Sequence, residues 1–209
     1  MLKIGSEGIQ VPGLLAAYVG DQIVHCGLPS GYTRANYVRG NANAHFATSL
    51  YLNQDCEVIA VIQFEGSAGN TYGCFSGTSA SDNFCLYAGA TASDAYIRYN
   101  GQVVRAFKAT NGTKYKLIHN RNGFWANGAK LADAFTASTF TCSNPFCVGT
   151  LSGSSSAKLK GRIYSIVVKE GSATRMALIP AKNSSDVYGL YDAVGRQFYS
   201  SEGTAFTGA

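Results

Sequence analysis

The chain has 209 residues, the length of one domain or of one domain with a short extension. Only 14% of the residues are charged, whereas glycine accounts for 24 residues and aromatic residues for 12%. This composition excludes a long-helix protein, and a hydrophobic content of 46% excludes a disordered chain. The net charge of +5 is a mild excess, with too few cations near stacking aromatics to favour nucleic-acid binding.

Residues 1–27 are predicted to form an N-terminal arm. Apolar stretches at 14–19 and 22–25 flank a Gly20-Asp21 turn, which is typical of a short hairpin. The glycine- and proline-containing segment 27–31 then separates this arm from a body at residues 28–209. The chain opens on a polar segment, so we expect no secretory signal. We also expect no membrane span, because no apolar stretch approaches the ~20 residues that one requires.

The body alternates between apolar and polar residues almost throughout. Residues 57–64 are nearly all apolar and often β-branched, which predicts a central strand buried on both faces. Asn100-Gly101 predicts a type I′ hairpin turn, and 120–123 and Asn127-Gly128 predict two further turns. We count about twelve to fourteen strand patterns and no convincing helix. The predicted fold is therefore all-β, with two packed antiparallel sheets that form a sandwich or a jelly roll.

The longest strand pattern covers residues 158–169 and contains the densest basic stretch. Strict alternation places Lys158, Lys160, Arg162, Tyr164, Ile166 and Val168 on one face, and Leu159, Ile163 and Val167 on the other. Such a basic stripe could attract phosphate or an acidic polymer, or it could be the ordinary solvated face of a strand.

The six cysteines are predicted to be reduced and mostly buried. None belongs to a C-x-x-C pair, and the three histidines are not spaced as zinc ligands. A chain that is not exported keeps its thiols reduced, and a free thiol packs as a small apolar group. A Cys142–Cys147 or a Cys74–Cys85 disulfide remains geometrically conceivable.

Several segments of the body carry a family resemblance. They are LPSGYT at 28–33, YV at 37–38, HFAT at 45–48, GRIYS at 161–165, LIPA at 178–181, VYGLYD at 187–192 and QFY at 197–199. This pattern resembles the concanavalin A-like (LamG-like) lectin and glucanase jelly-roll domains of phage and prophage structural proteins. The resemblance covers residues 28–209 and implies a jelly-roll fold with carbohydrate binding.

The arm carries a second resemblance. Residues 17–24, AYVGDQIV, look like an element that recurs at the start of phage tail and baseplate proteins. An ordinary edge hairpin would give the same pattern. The two resemblances together imply a virion-surface protein, assembled in the bacterial cytoplasm, that attaches to other virion proteins through its arm. The attachment residues would be Tyr18, Val19, Gly20, Asp21 and Ile23. Homo-oligomers, often trimers, are implied by the same resemblance.

The sequence predicts no catalytic site. Glycosidases of this architecture use two closely spaced carboxylates, but Glu57 and Glu65 lie roughly 26 Å apart along a strand. No G-x-S-x-G motif is present, although His119 with a buried thiol could in principle form a Cys–His pair. We expect no cofactor. A calcium site is conceivable among 82–83, Asp94, Asp133, Asp186 and Asp192, but Asp192 is better interpreted as a turn cap.

The remaining hypothesis is a glycan-binding surface that adheres to the host. Sugars bind to aromatic rings flanked by polar groups, and a nearby cation favours an acidic sugar. The candidate residues are Tyr96, Arg98, Trp125, Arg162 and Tyr164. Most of these aromatic residues could instead serve in packing. Two alternatives stay open: a structural head or tail decoration protein without a ligand, and a glycan-cleaving enzyme.

Overall fold

A computed structural model describes residues 3–5, 8–10, 17–19, 22–25, 27–41, 43–66, 70–74, 84–88, 94–136, 139–150 and 159–209. Within these ranges the chain forms strands and no helix, so no helix there could cross a membrane. The strands are β1 (Lys3–Gly5), β2 (Gly8–Gln10), β3 (Ala17–Val19), β4 (Gln22–His25), β5 (Tyr32–Arg34), β6 (Val38–Asn41), β7 (Phe46–Ala47), β8 (Cys56–Phe64), β9 (Asn70–Cys74), β10 (Phe84–Ala88), β11 (Asp94–Tyr99), β12 (Gln102–Lys108), β13 (Lys114–Asn120), β14 (Gly123–Ala126), β15 (Ala129–Ala132), β16 (Cys147–Val148), β17 (Lys160–Glu170), β18 (Ala173–Asn183), β19 (Tyr188–Asp192), β20 (Gln197–Ser200) and β21 (Thr207–Gly208).

Two antiparallel sheets form the body. The larger has eleven strands, with the order β15-β14-β13-β8-β17-β18-β19-β20; β5 also pairs with β18, β6 with β17, and β21 with β6. The smaller has six strands, with the order β12-β11-β10-β9-β16-β7. The all-β sandwich predicted from the sequence is confirmed, while its jelly-roll connectivity stays a prediction. The count of strands was too low because two- to four-residue strands such as β7, β16 and β21 show too few alternations to be recognised.

The core lies between the sheets and is rich in aromatic rings. From the larger sheet it takes Val58, Ile62, Phe64, Leu117, Phe124, Ile163 and Leu178, and from the smaller sheet Phe46, Tyr72, Phe84, Leu86, Ile97 and Tyr99. Rings stack within it, as Tyr99 does on Phe135 with centroids 4.9 Å apart. Burial of this apolar surface is the main force that holds the two sheets together.

The central position predicted for residues 57–64 is confirmed, because β8 lies between β13 and β17. Its burial on both faces is confirmed only in part. Val58, Ile59 and Ala60 are all buried, whereas Val61 and Gln63 are half-exposed. One end of β8 therefore presents side chains on the outer face of the larger sheet.

Strict alternation along β17 was a wrong prediction. Relative to β8, the register shifts between Ile163 and Ser165, which is a β-bulge. The bulge exchanges the faces of the strand, so Ile163 and Ile166 both enter the core. Arg162 and Tyr164 keep the outer face, but Ile166 and Val168 do not share it with them.

The Asn100-Gly101 turn has the predicted conformation, and the turn predicted at Asn127-Gly128 has the same one. Asn100 and Gly101 have φ values of 45° and 76°, and Asn127 and Gly128 have 49° and 85°. Positive φ at both central residues is the signature of a type I′ turn, which asparagine and glycine tolerate best. These turns fix the β11–β12 and β14–β15 hairpins.

In the arm, β1 pairs with β2 and β3 pairs with β4, each as a two-stranded antiparallel sheet. Tyr18, Val19 and Ile23, three of the predicted attachment residues, lie on β3 and β4. Gly20 and Asp21 lie outside the described residues. The attachment role of this hairpin stays a prediction.

Four cysteines, Cys56, Cys85, Cys142 and Cys147, are buried and form no disulfide, as predicted. The side chains of Cys26 and Cys74 do not belong to the part of the chain that the structure describes. Because Cys85, Cys142 and Cys147 take part in no disulfide, neither of the two conceivable bridges is present.

The buried thiols should resist alkylation in the native protein. Burial raises the pKa of Cys85 to about 12 and that of Cys56 to about 11. Only the thiolate reacts, so both should be carboxamidomethylated at least ~100-fold more slowly than free cysteine at neutral pH. Peptide mapping by mass spectrometry after timed iodoacetamide labelling measures this, with the denatured chain as the fully labelled control. Labelling of native Cys85 at the rate of free cysteine would contradict its burial.

Candidate functional site

The five residues predicted to bind glycan divide between the two sheets. Tyr96 and Arg98 lie on β11 of the smaller sheet, whereas Trp125 on β14 and Arg162 and Tyr164 on β17 belong to the larger one. Residues 95, 97 and 99 of β11 are buried in the core, so Tyr96 and Arg98 take the opposite face of their strand. The two outer faces of a sandwich point in opposite directions. The five residues therefore do not form one site.

Trp125 also lies apart from the pair on β17. It sits opposite Ile118 of β13, and β14 is three strands from β17. The Nζ atom of Lys130 lies 5.6 Å from the centroid of its ring, within the range of a cation–π contact.

Arg162 and Tyr164 are brought together with polar residues from four neighbouring strands. Across β6, β17, β8 and β13 the register aligns Arg39 with Arg162, Arg162 with Gln63, and Gln63 with Lys114. The next residues along these strands, Val38, Ile163, Ile62 and Phe64, are in the core, so the aligned row faces solvent. We call the surface formed by Tyr37, Arg39, Gln63, Glu65, Lys114, Arg162 and Tyr164 the basic face.

Two cations of the basic face lie over tyrosine rings. The guanidinium carbon of Arg162 is 4.5 Å from the centroid of Tyr37, and Nζ of Lys114 is 3.9 Å from that of Tyr164. The two rings are 5.9 Å apart, and the Tyr164 hydroxyl donates a 2.8 Å hydrogen bond to Oε1 of Gln63. These contacts hold long, otherwise mobile side chains in defined positions.

Glu65 is the single carboxylate of this basic face. Its Oε2 accepts a hydrogen bond from Nε of Arg39, and its Oε1 lies 2.7 Å from Nε of Arg162. The latter contact is an ion pair without hydrogen-bond alignment. The Glu65 side chain is 17% exposed, against 53% for Arg39 and 33% for Arg162. The Glu65 side chain is therefore the least exposed of the three, and the two arginine side chains are more exposed to solvent.

Sequence reasoning found Arg162 and Tyr164 but missed Tyr37, Arg39, Glu65 and Lys114. These four residues are scattered over nearly eighty positions of the chain, and no local motif connects them. Only the pairing of β6 with β17 and of β13 with β8 brings them to one surface.

A second polar feature is a cavity of about 170 Å³ at the other end of β8. Its lining residues are Gln54, Asp55, Cys56, Glu57, Asn120, Arg121, Asn122 and Gly171. Glu57 and Glu65 thus flank opposite ends of the strand, as predicted. Asp55 and Glu57 both line this cavity, and Glu170 is paired across the sheet with Cys56, which lies between them in the chain.

Each of these carboxylates has a protein partner. Glu57 accepts a hydrogen bond from the Asn120 amide, and Glu170 accepts one from Asn53 while pairing with Arg175 at 3.1 Å. Asp55 lies 3.9 Å from the guanidinium of Arg121. These contacts tie together the loops at this end of the sandwich.

The conceivable calcium ligands that the structure describes, Asp133, Asp186 and Asp192, do not form a group that could hold a metal ion. Asp133 is 99% exposed beside Lys130, and Asp186 pairs with Lys182 at 2.7 Å. Asp192 accepts backbone hydrogen bonds in the β19–β20 turn, as its position predicted. The side chain of Asp94 and residues 82–83 fall outside the description. Among the described residues, no three acids, histidines or cysteines are grouped so that they could hold a metal ion.

His119 is buried between the sheets, and burial lowers its pKa to about 3. Five aromatic rings surround it at centroid distances of 4.4–6.4 Å: those of Phe84, Phe135, Phe124, Tyr99 and Tyr72. The conceivable Cys–His pair would need a reactive thiolate, but burial raises the pKa of Cys85 to about 12 and that of Cys56 to about 11, which disfavours the thiolate. The role that the structure supports for His119 is packing.

No protein-family model matches this chain, and a search of curated proteins finds no match either.

Proposed function

We propose that this chain is a non-enzymatic phage virion protein whose jelly-roll body is displayed outward and binds an acidic host-surface glycan through the basic face. The arm attaches the chain to other virion proteins, and the body forms a homo-oligomer such as a trimer. The observation that carries the binding function is the aligned row of Arg39, Arg162 and Lys114 on one solvent-facing surface. The viral context rests on the two sequence resemblances alone.

An anionic ligand suits this surface better than a neutral one. The guanidinium of Arg162 offers several N–H donors, and Tyr37 and Glu65 restrict its orientation. A carboxylate or sulfate on a sugar can accept a pair of such donors, which gives strong charge-assisted hydrogen bonds. Weak single contacts become useful on a particle because many copies bind together.

Base stacking is disfavoured on the same surface. Arg162 occupies one face of the Tyr37 ring and Lys114 one face of the Tyr164 ring. Proteins that bind single-stranded nucleic acids need open aromatic faces on which bases stack. The same coverage means that sugar recognition here depends on charge and hydrogen bonds more than on stacking, unlike the sequence-based expectation.

Replacing Arg162 should weaken binding to an acidic polysaccharide about tenfold, the loss expected when charge-assisted hydrogen bonds are removed. A glycan array would first identify acidic binders, and titration calorimetry with the parent and Arg162→Ala would then measure affinity. Lys108→Ala is the matched control, because it removes one exposed positive charge from the smaller sheet. An equal loss of affinity in Arg162→Ala and Lys108→Ala would indicate that the polysaccharide is attracted by net charge and not by the basic face.

The virion assignment has its own test. Antibodies against this chain should label particles released from the bacterium that encodes it, and labelling should disappear when residues 1–27 are deleted from the gene. Particles that carry no label would refute the assignment to the virion.

Two alternatives give different results in the same experiments. A purely structural decoration protein would label the virion but leave the glycan array blank. An enzyme is favoured by one observation, the two carboxylates that line the 170 Å³ cavity. It would release reducing ends from a polysaccharide, and Glu57→Gln would abolish that release. We expect no release from the parent chain.

A further inference from the structure

The charges of the basic face have a defined order across the strands. From β6 to β13 the row reads Arg39, Arg162, the neutral Gln63 and Lys114, and three strand intervals span about 14 Å. A linear polymer that contacts all three cations must therefore run across the strands rather than along them.

Glu65 interrupts this row of positive charge. Its two carboxylate oxygens face different arginines, so the negative charge lies between Arg39 and Arg162. A ligand anion near this position meets a like charge in a partly buried setting, where solvent and salt screen the repulsion less than in bulk water. Anions placed over the outer N–H groups of Arg39, or toward Lys114, lie farther from this charge.

We propose that Glu65 is a specificity-determining residue that selects polymers with widely spaced negative groups, such as one carboxylate on every second sugar. A polymer with a charge on every unit places an anion beside Glu65 in any register, whereas an alternating polymer places a neutral sugar there. This inference rests on the proposed binding of acidic glycans and adds the charge spacing of the ligand. Polynucleotides, which carry a phosphate on every unit, fall among the excluded polymers.

The test compares two carboxylated oligosaccharides of equal length at one ionic strength. Hyaluronan oligosaccharides carry a carboxylate on every second sugar, and oligogalacturonate carries one on every sugar. The full chain should bind hyaluronan about fivefold more tightly, the effect of one screened like-charge contact. In Glu65→Gln, affinity for oligogalacturonate should rise about fivefold relative to affinity for hyaluronan, so that the preference of the parent is lost.

Two further variants serve as controls. Glu65→Asp keeps the negative charge and should keep the parent's preference for hyaluronan. The comparison requires that Glu65→Asp and Glu65→Gln both have the Tm of the parent. Asp133→Asn removes one negative charge from a fully exposed position far along the larger sheet and should change neither affinity.

Each remaining outcome overturns the inference. If Glu65→Gln raises the affinity for both polymers equally, only the net charge of the surface matters. If it lowers the affinity for both polymers, Glu65 merely holds the arginines in place. Binding of the parent to single-stranded DNA as tight as to hyaluronan would contradict the selection for spacing. If the parent binds neither oligosaccharide nor any acidic glycan on the array, the proposed function fails and this inference with it.

Discussion

Asp192→Ala should lower the free energy of unfolding by about 3 kcal/mol, because a buried carboxylate that organises a turn is lost. Asp192 is 3% exposed and lies at the end of β19. Its Oδ1 accepts hydrogen bonds from the backbone N–H groups of Ala177 at 2.9 Å and Val194 at 3.0 Å, and its Oδ2 accepts one from Gly195 at 3.0 Å. The carboxylate thus ties the β19–β20 turn to β18.

The three donors should not contribute equally to this loss. The amide of Ala177 is buried and would be left without an acceptor, which costs about 1–3 kcal/mol. The amides of Val194 and Gly195 lie in exposed residues, so water can replace the carboxylate there. Asp192→Asn keeps one oxygen acceptor and should cost less than the alanine variant.

Thermal and urea unfolding measure the effect. For a chain of this length, about 3 kcal/mol corresponds to a fall of roughly 6–12 °C in Tm. Asp133→Ala is the matched control, since its 99% exposed side chain should contribute less than about 0.5 kcal/mol. If Asp192→Ala unfolds within about 0.5 kcal/mol of the parent, the turn does not depend on this carboxylate.

The second large effect is a loss of stability in acid caused by His119. Burial lowers its pKa from 6.5 to about 3, so the folded protein holds the ring neutral while the unfolded chain takes up a proton below pH 6.5. The full stability is therefore present above pH 6.5. It falls by up to about 1.4 kcal/mol per pH unit as the pH drops, reaching a loss of about 5 kcal/mol near pH 3.

A non-titrating variant isolates this contribution. In His119→Phe the ring stays aromatic, but the Tyr72 hydroxyl loses its partner at Nδ1, so the double variant Tyr72→Phe, His119→Phe is the better comparison. Urea unfolding of the parent and the double variant at several pH values gives two stability curves. The difference between the two curves cancels the titration of the carboxylates, and it should change by about 2 kcal/mol between roughly pH 6.5 and 4.5.

A difference that stays constant over this range would show that His119 titrates normally in the folded protein. The environment argues against such a result. The Nε2 atom has no hydrogen-bond partner among the described residues, and aromatic rings surround the imidazole. Among the described residues, no nearby carboxylate offsets the cost of burying its charged form, and burial is the cause of the lowered pKa.

The sequence alone determined the fold class and most of the longer strands. Alternating side chains identify a strand because its two faces meet different environments, and Asn-Gly identifies a tight turn because few residues tolerate positive φ. Both signals are local. The same holds for Asp192, whose short acceptor side chain next to a turn predicted its capping role.

The sequence could not determine which side chains meet across the sheets. The bulge in β17 exchanged the faces of Ile166 and Val168, and alternation alone does not reveal a bulge. The five residues predicted to form one site lie on the outer faces of two different sheets. The direction in which a side chain points depends on the sheet that its strand joins.

The basic face shows most clearly what only the tertiary structure decided. Arg39, Glu65, Arg162 and Lys114 come from separate parts of the chain and meet because β6, β17, β8 and β13 pair in one register. Packing of the core between the sheets sets that register, because a slip of one residue would turn every buried side chain toward solvent. The position of each cation is therefore set by the apolar residues on the opposite face of its strand. A local pattern of charges in the sequence does not reveal this position.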